Sequence, residues 1–480
     1  MADTKSEPAG FSPGKTITTT YGKLVGIAPD SQTFAWYGIP YASPPVGNLR
    51  WKPPVPPAPW TGVREAFAYG DQAAQNPTYK SYGEGGMSED CLYLNVIAPN
   101  DAKNVAVMVW LHGGAFEMLT ANMKSYNNHR ALPANGVVLV TVNHRLGPFG
   151  YMAHPLLTKA SGYGGSGNYG QLDLIAALEW VRDNIAAFGG DPNNVTLFGQ
   201  SGGGAKAISL MASPLAVGLF HKVICQSGMV QSDNAFMNPV DLATAEARGT
   251  NLSKRLGTKN LAQLRALDWE EIVNSDLQTY GDKIGLYGPN LDGHYLERTQ
   301  LEAIQKGLAS DVPFMAGANT TDLVSEGDLT LGLIEQMPIR AKYCKAPLFA
   351  YKFSHIPSGW RKLGAKAYHG AELIYLFKYP VSFVTHFLLG LTALSREDIG
   401  DLTGDGIVAS VNDIFMSLKY GAEDAALEDK VVSMWTNFAK TGNPSIPGEI
   451  EWKPYTIEAD QFLDISASPA MRTGLGQAFA

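Results

Sequence analysis

Residues 195–204 read VTLFGQSGGG, a stretch that joins an apolar strand to a helix through a turn only small residues permit. Ser201 stands at its apex in the pattern Gly-x-Ser-x-Gly, here Gly199-Gln200-Ser201-Gly202-Gly203. The flanking glycines remove Cβ atoms that would collide in so tight a strand-to-helix turn, and the serine is expected in a strained, exposed pose. A helix starting here aims unpaired N–H groups and the positive end of its dipole at negative charge developing near Ser201, which suits acyl transfer. The five-residue pattern also arises by chance in glycine-rich chains, so its surroundings decide. Leu174, Leu178, Val181 and Ile185 recur ahead of it at helical spacing, Gly189-Gly190-Asp191-Pro192 stops that helix, and the strand follows at once.

Working outward, Val105 to Leu111 and Val137 to Val142 are uninterrupted apolar runs, as expected of strands covered on both faces. The first opens into His112-Gly113-Gly114-Ala115-Phe116, the second into Asn143-His144-Arg145-Leu146-Gly147. After the Ser201 turn come a strand over Lys222 to Gln226, a long and mostly helical stretch from Pro239 to Leu308, and strands over Val312 to Gly317 and Leu348 to Phe353. Apolar runs alternating with helical patterns specify an α/β fold, a largely parallel sheet with helices on both faces, whose chemistry gathers at the carboxyl ends of the strands. Toward the amino end, Thr16 to Gly26 reads as a hairpin and Met87 to Val96 as a strand with an acidic start. The prolines of Phe34 to Pro54 exclude a central strand and lay that segment over a surface. Met1 to Gly14 is polar and expected to be mobile. No linker divides the chain, so residues 1–480 are expected to form one elaborated domain with helical insertions at 239–308 and 380–425.

A net charge of −8 with 17% charged residues argues against nucleic-acid binding and for small, neutral partners. Cys91, Cys225 and Cys344 are too few and too widely spaced for a disulfide framework or a zinc site, and read as buried inert thiols. The start, MADTKSEPAGFSPGK, lacks the apolar core of a signal peptide, which fits a cytoplasmic protein as well as a secreted one after its signal is removed. Pro380 to Leu394 is too short and too polar to span a membrane; it reads as a flap over the site or as a core helix. Asp401-Leu402-Thr403-Gly404-Asp405-Gly406-Ile407 resembles the start of a calcium loop, with Asp401, Thr403 and Asp405 as oxygen ligands. Asn412 stands where that loop needs its bidentate glutamate, and an Asx-type turn is the competing reading.

A serine hydroxyl is a weak nucleophile at neutral pH and needs a base of pKa near 7, which is histidine's range. Of nine histidines, His369 stands out in Ala367-Tyr368-His369-Gly370-Ala371-Glu372, beyond the last strand run; His355, after the same strand, is the second candidate. The base needs a carboxylate behind it, and Asp322 and Glu326 lie in the loop after the strand Val312 to Gly317. Backbone N–H donors for an oxyanion are expected from Gly114, Ala115 and Gly202, where glycine lets the main chain approach a ligand.

Together with YGIPYASPPVGNLRW (37–51), SEDCLYLNV (88–96), NHRLGPFGYM (143–152), CQSG (225–228), LDG (291–293), YHGAEL (368–373) and WTNFAKTGNP (435–444), these stretches resemble the type-B carboxylesterases of the cholinesterase and carboxylesterase family, over nearly the whole length. The resemblance implies an α/β-hydrolase fold and a cofactor-free serine esterase acting on a small-molecule ester. It implies Ser201 as nucleophile, His369 as base, Asp322 or Glu326 as acid, and Gly114, Ala115 and Gly202 as the oxyanion hole. It implies supporting roles for Ser227 and Gln200, and buried ion pairs of Arg50 with Glu89 and Arg145 with Asp173. Three departures matter. Only 47 residues separate Asp322 from His369, fewer than the family's interval, which implies a more open site. The tryptophan that binds quaternary ammonium in the family has no counterpart in NPTYKSYGEGG, so choline esters are not expected substrates. Cys91 lacks its usual partner, and the GGAF loop resembles the variant that admits tertiary-alcohol esters. The alternatives are a lipase with a flap and a catalytically silent binding module on the same fold.

Overall fold

Thirteen segments of the chain pair into one sheet in the computed structural model, which describes residues 12–234, 236–280, 287–324, 327–357, 366–379 and 421–479. In chain order its strands are β1 (Ser12–Thr19), β2 (Gly22–Ala28), β3 (Thr33–Pro40), β4 (Val63–Glu65), β5 (Tyr93–Pro99), β6 (Val105–Leu111), β7 (Val138–Val142), β8 (Gly190–Gln200), β9 (Lys222–Gln226), β10 (Phe314–Asn319), β11 (Leu348–Phe353), β12 (Gln461–Ile465) and β13 (Ala470–Thr473). They lie in the order β1-β2-β3-β5-β7-β6-β8-β9-β10-β11-β12-β13, with β4 beside β2. From β7 to β12 neighbours are parallel, and antiparallel pairs close both ends.

The central strands fall where uninterrupted apolar runs place them, because a strand covered on both faces cannot alternate with polar residues. Their period of two sorts side chains between two cores. Val107, Val109, Leu111, Leu197 and Val223 pack on one face with Leu174, Leu178 and Val181 of α1 (Tyr169–Asn184) and Leu210 of α2 (Gly202–Ala212). Met108, Trp110, Phe198 and Ile224 pack on the other with Val431, Met434, Trp435 and Phe438 of the helix Ala422–Thr441. Each such side chain, wholly removed from water, contributes about 1.5–3 kcal/mol of transfer free energy.

Two expectations need correction. The Phe34 to Pro54 segment does hold an internal strand: β3 pairs with β2 on one side and β5 on the other. Pro40 is its last residue and the remaining prolines lie beyond it, so no ladder N–H is lost within the strand. Gly38, at φ 64°, makes the bulge between Trp36 and Ile39 that absorbs the misfit. At the amino end, Ser12 and Pro13 are already paired with Ala28 and Ile27 in β1–β2, while residues 1–11 lie outside the described ones. The stretch from 239 to 308 carries the helices Leu242–Arg255, Leu261–Ala266, Trp269–Tyr280 and Gln300–Gln305, plus a short parallel pair, Val240–Asp241 with Asn290–Leu291. The helix Leu329–Tyr343, with Pro338 inside it, falls where the sequence reading assigned no element. Residues 380–420, which include the proposed flap and the calcium-like loop, lie outside the described residues. Cys91 and Cys225 are buried free thiols, and Cys344 is half-buried.

Both ion pairs implied by the family resemblance form. Arg50 and Glu89 are joined through Nε to Oε1 at 2.6 Å. Arg145 holds Asp173 bidentately, Nε to Oδ2 at 2.8 Å and Nη2 to Oδ1 at 2.6 Å, which ties the loop after β7 to α1. Asp173 is wholly buried, so removing its charge strands a buried guanidinium. Asp173→Asn is expected to lower the unfolding free energy measured in urea by about 3–5 kcal/mol; a loss within about 0.5 kcal/mol, the range of an ordinary surface change, would contradict this.

Candidate active site

Ser201 is the hinge between β8 and α2, with φ 58° and ψ −129°. That left-handed φ costs a non-glycine residue on the order of 1–3 kcal/mol and persists only where the surroundings impose it. Here they do: its N–H donates to Gln226 O at 2.8 Å, and its carbonyl accepts from Ala205 N at 3.1 Å. The glycines around it are forced by contact. A Cβ on Gly203 would lie 1.9 Å from Leu111 O, and one on Gly199 would lie 2.5 Å from the Gly203 carbonyl carbon. Ser201 retains only 7% exposure, so it sits on the floor of the site rather than in the exposed pose expected.

The main chain of Gly114 and Ala115 lies directly against this hinge. A Cβ on Gly202 would be 2.0 Å from Ala115 O, and Gly114 and Ala115 themselves turn at φ 80° and 52°. Each of the three expected donor peptides is anchored by its own carbonyl. The carbonyl paired with Gly114 N–H, Gly113 O, contacts His112 Nδ1 at 3.0 Å. That paired with Ala115 N–H, Gly114 O, accepts from Glu117 N and Met118 N, both at 3.1 Å. That paired with Gly202 N–H is Ser201 O, bonded to Ala205 N. Such anchoring fixes where the N–H groups point before any substrate arrives.

His369 stands beyond β11, and its Nδ1 meets Asp322 Oδ1 at 2.5 Å. A parallel bridge between Thr321 and Tyr368, with Thr321 N donating to Ala367 O at 2.9 Å, holds the two loops together. Asp322 is 1% exposed and also accepts from Asn319 N at 2.8 Å. Because a carboxylate only accepts, Nδ1 carries the proton and Nε2 is left as the basic nitrogen. Burial alone would depress this imidazole, but the charge and hydrogen bond of Asp322, with Glu372 behind, hold its pKa above the ordinary value. The expected Ser201–His369 hydrogen bond is not made. Ser201 Oγ makes no capping bond to α2, and His369 Nε2 is met instead by the carboxamide Nε2 of Gln200 at 3.1 Å.

Other expectations distribute as follows. His355 lies apart, buried, with Nε2 2.8 Å from Asp424 Oδ1 at the start of the helix Ala422–Thr441. Ser227 contributes its backbone N–H to Gly317 O at 2.8 Å, but its buried hydroxyl has no partner among the described residues, which corrects the supporting hydrogen bond expected of it. Gln226 and Glu372 occupy the polar ground in its place. Glu326 and the set Asp401, Thr403 and Asp405 lie outside the described residues, as do residues 358–365, between Asp322 and His369 in the chain. The sequence reading did not identify the layer behind the acid: Glu372 accepts from Asn319 Nδ2 at 2.6 Å and from Gln226 Nε2 at 3.2 Å, and Trp435 Nε1 donates to Gln226 Oε1 at 3.1 Å. Burial, reinforced by the charge of Asp322, pushes Glu372 up to about 7. Its signal was its position three residues after His369, within the quoted YHGAEL.

Comparison with known proteins identifies the family. Residues 13–330 and 393–479 match the Carboxylesterase family. The para-nitrobenzyl esterase of Bacillus subtilis (strain 168) is 31% identical over 500 residues, covering 93% of this chain and 94% of that protein. The fumonisin B1 esterase of Sphingopyxis macrogoltabida is 31% identical over 509 residues, covering 95% and 87%. A solved structure of a PNB esterase superposes with a TM-score of 0.75 at 29% identity, covering 95% of this chain and 97% of that one. The α/β-hydrolase sheet, the Gly-x-Ser-x-Gly hinge and these full-length matches together make the protein a carboxylic ester hydrolase belonging to the carboxylesterase family.

Proposed function

We propose that Ser201, His369 and Asp322 carry the hydrolysis, with Gly114, Ala115 and Gly202 as oxyanion donors. The observation that supports this most directly is the Asp322–His369 hydrogen bond, with the other imidazole nitrogen of His369 held by Gln200, the residue beside Ser201. In the cycle the Gln200 carboxamide yields Nε2 to the Ser201 hydroxyl. His369 takes the hydroxyl proton as Oγ attacks the ester carbonyl, and the three N–H groups receive the oxyanion. Collapse of the tetrahedral species expels the alcohol, which leaves with the proton from His369. Water then attacks the acyl-enzyme with His369 again as base, releasing the acid and restoring Ser201. Asp322 fixes the tautomer and stabilises the imidazolium without taking the proton. Side chains and peptide groups of this chain handle every proton and charge, so the cycle calls for no cofactor.

For substrate, we infer small to medium neutral carboxylic esters. Residues 76–86, NPTYKSYGEGG, offer no tryptophan face for a quaternary ammonium, which argues against choline esters. Ala115 in the oxyanion loop is the feature that favours esters of tertiary alcohols.

Ser201→Ala is expected to lower kcat on p-nitrophenyl acetate by a factor on the order of 10⁴ or more, and turnover equal to the wild type would eliminate the mechanism. Because His369 must be neutral to act and its pKa is raised, kcat/KM should fall on the acid side with an apparent pKa above about 6.5. Asp322→Asn removes what holds that pKa up. It should move the limb to lower pH and cost about 10⁴ in kcat; an unmoved limb would point to a different acid. Esters of unlike alcohols test the loop reading: the wild type should cleave both ethyl acetate and tert-butyl acetate, and hydrolysis of the ethyl ester alone would count against a role for Ala115.

A further inference from the structure

Lys206 lies on α2, five residues beyond the proposed nucleophile, and is wholly buried. Lysine is rarely fully buried unless a charge partner accompanies it. Among the described residues no carboxylate pairs with this one. Burial pushes it down to about 7. Its Nζ donates to His112 O at 3.0 Å and lies 5.6 Å from the centroid of the Phe116 ring. An aliphatic side chain at this position would avoid that desolvation, so the amine is retained against a stability cost.

The acceptor locates the purpose. His112 O belongs to the peptide that leads into Gly113, and His112 Nδ1 is 3.0 Å from Gly113 O, the carbonyl of the next peptide. A carbonyl cannot donate, so Nδ1 carries the ring proton. Burial, followed by the charge of Lys206, depresses the pKa of His112 and keeps that tautomer neutral. His144 covers the ring at 4.7 Å between centroids. Gly113 and Gly114 have no side chains to steady them, and glycine left to itself samples the widest range of backbone conformations. Two hydrogen bonds from wholly buried side chains therefore clamp two successive peptides of the loop, and the second peptide carries Gly114 N–H.

We propose that Lys206 is a positioning residue for the oxyanion loop, acting through His112: the bond from Nζ to His112 O, continued by His112 Nδ1–H to Gly113 O, aims Gly114 N–H at the reacting oxygen. This rests on the assignment of Gly114 as a donor in the proposed function. Lys206 touches no substrate, so it should govern the tetrahedral species rather than ester binding.

The test measures kcat and KM on p-nitrophenyl acetate and the inhibition constant of an aryl trifluoromethyl ketone, which forms a tetrahedral adduct with a catalytic serine. Lys206→Met is expected to lower kcat about 10- to 100-fold with KM within about twofold, and to raise the ketone's inhibition constant by a similar factor, somewhat less than deleting a donor outright. Lys206→Gln, which keeps an N–H donor, should recover most of both. Wild-type kcat in Lys206→Met, or a lost kcat with unchanged ketone inhibition, would overturn the proposal. Should Lys206→Met fail to fold, His112→Phe keeps the lysine and a ring but removes the Nδ1 donor; the same loss supports the proposal and wild-type values sink it. Ser201→Ala, assayed in parallel, separates the two levels: if it retains turnover, the site assignment itself fails, whereas an inactive Ser201→Ala beside an unaffected Lys206→Met removes only this role.

Discussion

The backbone of the Ser201 hinge packs against the backbone of the loop after β6 with no side chain between them, and the rest of the site is built on that approach. Where a Cβ on Gly202 or Gly203 would fall 2.0 Å or less from the oxygens of Ala115 and Leu111, only hydrogen fits. Glycine loses more conformational freedom on folding than any other residue, and the fold offsets that loss by burying α2 throughout against β6 and β9. In return, main chain from two segments far apart in the sequence, Gly114–Ala115 and Ser201–Gly203, comes into direct contact. The left-handed serine follows from the same geometry, since the chain must leave β8 and enter α2 within one residue.

Around this apolar and glycine-rich floor, charge is placed sparingly and nearly always in pairs. Arg145 with Asp173 and Arg50 with Glu89 fasten the loops after β7 and β3 to distant parts of the chain. Behind His369 the arrangement differs, because Asp322 and Glu372 are both carboxylates in one buried space. Two like charges there cannot both be stable, and Glu372 is pushed toward the protonated form while Asp322 keeps its bond to the imidazole. The environment thus assigns two roles to two chemically similar groups. Lys206 and Arg340 depart from this: among the described residues neither has a carboxylate partner, Lys206 lying against the His112 carbonyl and the Phe116 ring and Arg340 against Met211 Sδ and the Phe314 ring.

The residues proposed for the site were legible along the chain. Ser201, His369, Asp322 and the Gly114–Ala115 loop each follow an apolar run, and a parallel sheet presents the carboxyl ends of its strands on one edge. β6, β9 and β11 were readable to the residue, because fully covered strands are continuous apolar runs bounded by turns. The internal strand β3 was misread, since the density of prolines in its neighbourhood hid the fact that Pro40 closes it rather than interrupts it. Glu372 and Gln226 were not recognised as partners because an acid and an amide 146 positions apart have no local periodicity that announces their meeting.

The sequence by itself determined the fold class, the hinge and the residues available for chemistry, since these depend on local sterics and on hydrophobic periodicity. Only the tertiary structure decided which groups meet. It placed Gln200 rather than the Ser201 hydroxyl on His369, left the Ser227 hydroxyl without a partner among the described residues, set His355 against Asp424, and drew Lys206 onto the His112 carbonyl. Hydrogen bonds act over about 3 Å, and which atoms come that close is fixed by how the strands are ordered across the sheet, which no local stretch of chain encodes.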